Sequence, residues 1–328
     1  MKPSIRSSCS QEVILMTGVL GNVFFFDWEV AFMEWVQRVL PSSSVLASIL
    51  NFLSMFGEQL VMVAVLGFLY WCWDKDFGEY VGLNVVTVSL WNPMLKNICL
   101  RRRPYFDNSG IRCLRPVEKG ADIYDIEAQG FSFPSGHSSS AVTLYGSLAS
   151  YTRKRVFLLL ALILPLLVGI SRVYVGVHYP TDVLCGWLLG LLVILVLNLL
   201  RKSIRNQTVL FGVLLLAGLP GFFYCRSSDF YTSYGMLFGF CTAILFEKRF
   251  VHFENTRSPV RMILRMAGGI AIYFGLNAVL KLPFPSALLA SASTASRLIR
   301  CGRYAVVTFT DIAIYPMLFK VTGRKKEN

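Results

Sequence analysis

The chain has 328 residues, of which 55% are hydrophobic and only 16% are charged. Soluble domains carry about 25% charged residues, and the apolar residues here fall in long blocks. The composition therefore excludes an ordinary soluble enzyme and predicts a polytopic membrane protein. The basic residues that give the net charge of +13 lie in short loops between these blocks, which favours contact with lipid headgroups over nucleic-acid binding. The eight cysteines form no C-x-x-C pair, so we predict no zinc site.

The first 43 residues are predicted to form a separate N-terminal segment. An apolar run from Val13 to Phe26 follows Lys2 and Arg6, as in a signal peptide, but no small-residue cleavage site comes after it. Beyond this run, apolar and polar residues alternate. We therefore expect residues 1–43 to form an interfacial, partly amphipathic element.

About nine transmembrane helices follow, which predicts an all-α membrane helical bundle. We expect residues 44–205 to form the catalytic membrane core and residues 206–328 to add further transmembrane helices. Basic clusters such as 153–155 and 324–326 fall on one side if the spans alternate, and the positive-inside rule makes that side cytoplasmic. The predicted spans are 44–71, 82–100, 135–153, 156–172, 180–200, 208–224, 230–246, 260–280 and 304–319.

The loop from 101 to 133 then faces outward, although it contains five arginines. This exception to the positive-inside rule calls for a reason other than topology. Three polar segments reach the same face, namely residues 96–104, 134–137 and 171–182. Two of the three histidines of the chain lie in these segments, which indicates a polar site at the mouth of the bundle.

These segments offer groups that bind a tetrahedral oxyanion. Ser135 is a good N-cap, and Gly136 lets the backbone approach a ligand closely at a helix N-terminus, which attracts anions. Lys96, Arg103 and Arg172 add positive charge, and the planar fork of arginine suits phosphate oxygens. We therefore predict a phosphate site.

The two histidines are predicted to divide the chemistry. Asp182 lies in the first turn of the helix that Pro180 opens, where it can accept a hydrogen bond from one ring nitrogen of His178 and leave the other nitrogen basic. His137 can then protonate the leaving alkoxide as the general acid. Because the cationic side chains already neutralise the phosphoryl charge, we predict neither a metal nor another cofactor.

Each feature also has a structural explanation. The cluster of Lys96 and Arg101 to Arg103 could anchor the chain by snorkelling to the interface, and His178 could cap a helix. The acidic residues of the outer loop, Asp122, Asp125 and Glu127, are expected to be solvated. Because the polar segments lie on one face and offer matched chemical roles, we favour the catalytic interpretation over these structural alternatives.

The three segments resemble the three-part signature of the type 2 phosphatidic acid phosphatase superfamily, and the resemblance covers residues 55–200. It implies a helical bundle and metal-independent phosphatase chemistry, with a phosphohistidine at His178 and His137 as the acid. Vanadium haloperoxidases share the signature but are soluble. The predicted number of nine spans resembles that of the glucose-6-phosphatase and sphingosine-phosphate phosphatase branches of this superfamily. The residues implied to hold phosphate are Lys96, Arg103, Ser135, Gly136, His137 and Arg172.

The leading hypothesis is an integral membrane phosphatase that removes phosphate, or one phosphate of a pyrophosphate, from a lipid at the extracytoplasmic or lumenal face. Its partners would be the bilayer and a phosphorylated lipid, and no nucleic acid. The alternatives are a phosphatase of a soluble sugar phosphate and phosphoryl transfer to an acceptor other than water. A non-catalytic phosphate-binding transporter is an alternative from a different class.

Overall fold

The computed structural model describes residues 21–41 and 44–321. Within these ranges the chain is α-helical and contains no β-strand, only an isolated bridge between Asn22 and Arg101. The predicted all-α fold is thereby confirmed. Most of the apolar run that begins at Val13, and the basic cluster 324–326, lie outside the described residues.

The N-terminal part of the chain is built from short helices. The first predicted span is a bent pair, because the chain turns by 51° between Gly57 and Gln59. Glu58 adopts an extended conformation at this turn and interrupts the helix. The elements are α1 (Asp27–Val39), α2 (Val45–Leu53), a 3-10 turn (Ser54–Gly57), α3 (Gln59–Gly67) and a π-helical turn (Phe68–Trp73).

The central part contains the longest helices. The N-cap Asp74 accepts a hydrogen bond from the backbone N–H of Phe77, so α4 begins seven residues before the predicted position 82. It ends at Leu100, which adopts a left-handed conformation with φ of 53°. The helices are α4 (Lys75–Cys99), α5 (Pro104–Asp107), α6 (Ile126–Gln129), α7 (Gly136–Thr152), α8 (Arg155–Tyr174) and α9 (Pro180–Ser203).

In the C-terminal part, the last predicted span begins too late. Its helix starts at Thr294 rather than at Tyr304, because the Ser293 hydroxyl caps it and the basic residues before Tyr304 continue the helix. The helices are α10 (Gln207–Gly218), α11 (Gly221–Tyr224), α12 (Ser228–Phe246), α13 (Pro259–Val279), α14 (Ser286–Ala290), α15 (Thr294–Phe309) and α16 (Met317–Val321). Two π-helical turns, Glu247–Val251 and Thr310–Ile314, follow α12 and α15.

Four of the described segments are long and apolar enough to cross a membrane, and the bent pair at the start would be a fifth. Helix α7 has only 17 residues and is rich in serine, so it does not meet the same test. The protein is a multi-pass membrane bundle, and the number of nine spans stays a prediction. The four segments are Arg155–Tyr174, Pro180–Ser203, Gln207–Tyr224 and Pro259–Val279.

The main hydrophobic core joins the middle of the chain to its C-terminal part. Leu83 and Leu90 of α4 pack in one cluster with Leu197 of α9, Phe211 of α10 and Leu237 of α12. Each of these side chains is almost completely buried. Helices before and after residue 205 therefore share one core.

Helices α12 and α15 approach each other closely at a glycine. A Cβ at Gly235 would lie 2.2 Å from the carbonyl oxygen of Cys301, whereas a Cβ at Gly212 on α10 would meet nothing within 4 Å. We expect Gly235→Ala to lower the free energy of unfolding by about 1–3 kcal/mol, because the backbones must move apart. Gly212→Ala should leave it unchanged or slightly raised, since alanine favours the helix by about 0.5–1 kcal/mol.

Thermal unfolding of the two variants in the same detergent measures this difference. Equal transition temperatures for Gly235→Ala and Gly212→Ala would contradict the close approach of α12 and α15.

Candidate active site

The three polar segments predicted from the sequence meet at one end of the bundle. The backbone N–H of Ser135, at the start of α7, donates to the backbone carbonyl of Asp182 at the start of α9, over 2.9 Å. The Arg103 guanidinium, just beyond α4, donates through Nη1 to the carbonyl of Val177 over 3.0 Å. The ends of α4 and α8 and the starts of α7 and α9 thus surround one buried region.

The N-terminus of α7 is held in place by its own hydroxyl groups and by α4. Ser135 is fully buried, and its Oγ accepts from the Ser138 hydroxyl over 2.9 Å and from the Ser138 backbone N–H over 3.4 Å. Asn92 on α4 donates through Nδ2 to the carbonyl of Pro134 over 3.1 Å. A Cβ at Gly136 would lie 3.3 Å from Asn92 Oδ1, so a larger residue would press on this contact. Asn92 therefore supports the start of α7, a role that was not predicted from the sequence.

His178 and Asp182 face each other at the start of α9. The distance between His178 Nδ1 and Asp182 Oδ2 is 3.5 Å, and both side chains are buried. Asp182 Oδ2 also accepts from the backbone N–H of Tyr179 over 2.8 Å, which fixes the carboxylate at the helix N-terminus. The separation is longer than an ordinary hydrogen bond of about 2.7–3.2 Å, but such bonds often tighten only when substrate is bound.

Two of the predicted phosphate-binding cations bond to backbone carbonyls of the outer loop. Lys96 Nζ donates to the carbonyl of Phe131 over 2.8 Å. Arg103 is buried, and its Nε donates to the carbonyls of Gln129 and Gly130 over 2.9 and 3.0 Å. These bonds tie the loop over the region where α4 ends, and they orient both cations.

Arg172 is buried with an unsatisfied donor. Only 5% of its surface is exposed, and its Nε donates a long hydrogen bond of 3.4 Å to the Ser171 hydroxyl. Within the described part of the chain, its Nη2 has no hydrogen-bond partner. His137 is half-buried and interacts electrostatically with Arg172 and Lys96. It also interacts with His178 when the His178 ring is protonated. Arg172 and Lys96 therefore lie near both imidazoles.

Burial and neighbouring cations act together on His178, which lies between the membrane helices α8 and α9. Burial lowers the pKa of its imidazole well below the ordinary value, and the charges of Arg103, Lys96 and Arg172 lower it further. A hydrogen bond with the Ser132 backbone acts in the opposite direction. The lowered pKa keeps the ring neutral near physiological pH, and a neutral imidazole can act as a nucleophile or as a base.

The lowered pKa predicts that His178 titrates below its ordinary value of about 6.5 in the protein without substrate. Since the chain has three histidines, ¹⁵N-histidine labelling and solid-state NMR in bilayers can resolve the three rings, and His178→Asn identifies the signal. The unfolded chain binds this proton below about pH 6.5 while the folded protein resists it, so His178 lowers stability as the pH falls. A His178 signal that titrates at or above pH 6.5 would contradict this prediction.

A buried ion-pair chain lies behind Asp182. Arg101 donates through Nη1 to Asp182 Oδ1 over 2.7 Å and through Nη2 to Glu29 Oε2 over 2.8 Å. All three side chains are nearly inaccessible. The interpretation of Arg101 as a snorkelling anchor is therefore wrong for this arginine. The unusual number of arginines in the outer loop was a signal that could have identified Arg101, whereas no comparable feature of the sequence marks Glu29.

The remaining arginines of the outer loop also have specific partners. Arg112 donates through Nη2 to the backbone carbonyl of Gln37 on α1, over 3.2 Å. Arg115 forms an ion pair with Glu58 at the bend of the first span. Asp125 caps α6 by accepting from two backbone N–H groups. Three of these side chains therefore fasten the outer loop to the bundle or shape its turns.

Several other polar side chains of the membrane helices and their loops lie apart from this site. Asn84 bonds to the carbonyl of Tyr80 one turn earlier on α4. Arg265 donates to the carbonyls of Trp71 and Glu254. His252 lies in the loop after α12, beside the carbonyl of Arg249. Across residues 21–41 and 44–321, no group of three or more histidine, cysteine, aspartate or glutamate side chains is arranged to hold a metal ion.

Comparison with known families and proteins gives consistent matches. Residues 76–205 match the PAP2 superfamily, and residues 231–327 match the transmembrane extension of PAP2 superfamily phosphatases. Phosphatidylglycerophosphatase B of Bacillus subtilis is 30% identical over 183 residues, which cover 52% of this chain and 78% of that protein. An undecaprenyl-diphosphatase of Sulfolobus acidocaldarius is 32% identical over 150 residues, covering 44% of this chain and 66% of that protein.

Two further proteins are also similar to this chain. Sphingosine-1-phosphate phosphatase 1 of Rattus norvegicus is 30% identical over 182 residues, covering 52% of this chain and 40% of that protein. The crystal structure of a transmembrane PAP2-type phosphatidylglycerolphosphate phosphatase from Bacillus subtilis covers 61% of this chain and 96% of its own, with 26% identity and a TM-score of 0.41. The chain belongs to the PAP2 superfamily, the phosphatases that its motifs resemble, and is a membrane-bound phosphoric monoester hydrolase.

Proposed function

We propose that the protein hydrolyses a phosphomonoester or pyrophosphate of a lipid through a phosphohistidine at His178. The observation that carries this proposal is the buried region in which the His178–Asp182 pair lies among Lys96, Arg103 and Arg172. A neutral imidazole beside fixed positive charge suits attack on an anionic phosphoryl group, because the cations stabilise the charge of the transition state.

In the first step, a ring nitrogen of His178 attacks phosphorus and the bond from phosphorus to the leaving oxygen breaks. Because Nδ1 faces Asp182, Nε2 is the attacking nitrogen. His137, whose protonated form is favoured by the bound phosphate dianion, gives a proton to the leaving oxygen. The alcohol, or the lipid monophosphate when the substrate is a pyrophosphate, then departs. The phosphorylated ring is positively charged, and the Asp182 carboxylate stabilises it.

In the second step, water attacks the phosphorus of the phosphohistidine. His137, now neutral, accepts a proton from this water, and the bond from phosphorus to Nε2 breaks. Inorganic phosphate leaves, and both histidines return to their first states. Splitting the hydrolysis into two steps suits a reaction that is very slow without a catalyst.

A lipid substrate is supported by the surroundings of the site and by the relatives. The outer face of α1, next to the site, exposes Trp28, Phe32 and Trp35, and aromatic side chains of this kind favour the membrane–water boundary. The relatives named above are phosphatases of phosphatidylglycerol phosphate, undecaprenyl diphosphate and sphingosine 1-phosphate. A site at this boundary lets a phosphate headgroup enter while the acyl or prenyl tail stays in the bilayer.

The distribution of charge supports an extracytoplasmic or lumenal site. The arginines of the 101–133 loop are engaged in the site and in loop contacts, so they do not count as topology signals. The basic clusters 153–155 and 201–205 lie at the other ends of the helices that carry the site. The positive-inside rule makes those ends cytoplasmic.

A substrate panel tests this function. Purified protein in mixed micelles and excess chelator is expected to release phosphate from phosphatidate, phosphatidylglycerol phosphate, sphingosine 1-phosphate or a polyprenyl pyrophosphate. Vanadate, which mimics the five-coordinate phosphoryl group, should block the release. A preference for glucose 6-phosphate would overturn the lipid assignment. Binding of phosphate esters without any release would instead indicate a transporter.

A further inference from the structure

Glu29 on α1 is connected to the candidate nucleophile through two ion pairs. Glu29 Oε2 accepts from Arg101 Nη2 over 2.8 Å, and Arg101 Nη1 donates to Asp182 Oδ1 over 2.7 Å. Asp182 presents its other oxygen to His178. The chain of contacts therefore runs from the N-terminal helix to the start of α9, and Glu29 lies outside the segment 76–205 that matches the family.

Arg101 bonds to protein groups through all three of its guanidinium nitrogens. Its Nε donates to the carbonyl of Phe24 over 2.6 Å, and its Nη1 donates to the hydroxyl of Thr181 over 2.7 Å as well as to Asp182. Its guanidinium also stacks on the ring of Tyr179, 4.1 Å from the ring centre. Arg101 is 2% exposed, so it holds protein groups rather than a substrate phosphate.

The second acid changes the charge that His178 experiences. Arg101 alone would neutralise Asp182. With Glu29 the group of three carries one net negative charge, and this charge lies on the side of His178 Nδ1. Glu29 is held by further donors, because its Oε1 accepts from the Thr181 hydroxyl over 2.6 Å and from the Thr181 backbone N–H over 3.0 Å. Buried charges need such partners, since an unpaired one is strongly unfavourable.

We propose that Glu29 and Arg101 are positioning residues of the reaction. Arg101 favours the ionised form of the Asp182 carboxylate, and Glu29 fixes Arg101 in place. One oxygen of Asp182 is thereby directed to His178 Nδ1, so that the other ring nitrogen attacks phosphorus. This inference rests on the proposed function, in which His178 is the nucleophile. It makes α1 a part of the active site, although none of its residues touches the reacting atoms.

A double-mutant cycle between Glu29 and Asp182 tests the proposal. Glu29→Gln keeps the size of the side chain and an acceptor for Thr181 but removes the charge. We expect it to lower kcat about tenfold and to leave KM within about twofold, because it acts on the nucleophile rather than on binding. In the Asp182→Asn background it should lower kcat by less than about twofold, since its effect passes through that carboxylate.

A neighbouring ion pair provides the matched control. Asp107 forms an ion pair with Arg102 over 3.2 Å in the 101–133 loop. Both side chains are partly buried, and the pair does not include Asp182. Asp107→Asn should leave kcat unchanged in both backgrounds. The proposal is overturned if Glu29→Gln leaves kcat unchanged, costs the same factor in both backgrounds, or raises KM instead of lowering kcat.

A second variant guards against a failure to fold. Thr181→Val keeps all three charges but removes the hydroxyl shared by Arg101 and Glu29. We expect kcat to fall about threefold, and not to fall further in the Asp182→Asn background. Equal losses in both backgrounds would count against the proposal. Full activity of Asp182→Asn or of His178→Ala, each measured alone, would overturn the proposed function itself, so the two failures can be told apart.

Discussion

We expect His178→Ala to reduce lipid phosphate hydrolysis by about 10⁴-fold or more, because removal of a covalent nucleophile leaves only binding and electrostatic stabilisation. His178 is 3% exposed and lies in the connection between α8 and α9. The loss should appear in kcat, while the affinity for vanadate falls with it, since vanadate is expected to bond to the same nitrogen. Phosphate release from lipid substrate in mixed micelles measures the effect.

Two variants make this result interpretable. His178→Asn fills more of the cavity than alanine and should be equally inactive, which separates loss of chemistry from loss of packing. His252→Ala removes an exposed histidine far from the site and should retain full activity. Turnover by His178→Ala near that of the unaltered protein would show that another residue attacks phosphorus.

The second large effect is expected at Arg172. Its Nη2 is buried without a hydrogen-bond partner among the described residues, and a buried donor of this kind is costly unless something satisfies it. We infer that a phosphate oxygen does so. Arg172→Lys keeps the positive charge but loses the planar fork, and we expect kcat/KM to fall by about 10²- to 10³-fold.

The control for this change is Arg102→Lys. Arg102 pairs with Asp107 at the edge of the outer loop, so the same substitution there should change kcat/KM by less than about twofold. Equal effects at both positions would contradict a direct contact between Arg172 and phosphate. Thermal unfolding of both variants in detergent shows whether the loss at Arg172 comes from the fold.

The positions of most helices could be predicted from long apolar runs, because the bilayer requires about 20 apolar residues for each span. Apolar runs gave wrong helix boundaries where a helix does not begin and end with its apolar run. The first span bends at Glu58, and α15 begins at Thr294, within a basic stretch. Apolarity reports which residues can face lipid, whereas the start of a helix depends on its cap.

The residues that hold the site together were harder to predict than those with chemical roles. The motif residues were found because their side chains and spacing suit phosphate chemistry. Glu29, Arg101 and Asn92 were missed as supporting residues, since their importance depends on contacts between distant segments; Glu29 and Arg101 are 72 positions apart. On α1, the polarity of a residue does not indicate whether its side chain is buried. Glu29 is on its buried face, while Trp28 and Trp35 are exposed.

The core shared across residue 205 affects how substitutions in the C-terminal helices should be read. Phe211 and Leu237 pack against the side of α4, and Ser227 accepts a hydrogen bond of 2.9 Å from Asn97, next to Lys96. A change that loosens α10 or α12 therefore displaces the end of α4. Reduced hydrolysis in such a variant can therefore come from a displaced Lys96 as well as from a lost lipid contact. The thermal stability of naturally occurring variants in α10 and α12 should be measured before their effects are assigned to substrate specificity.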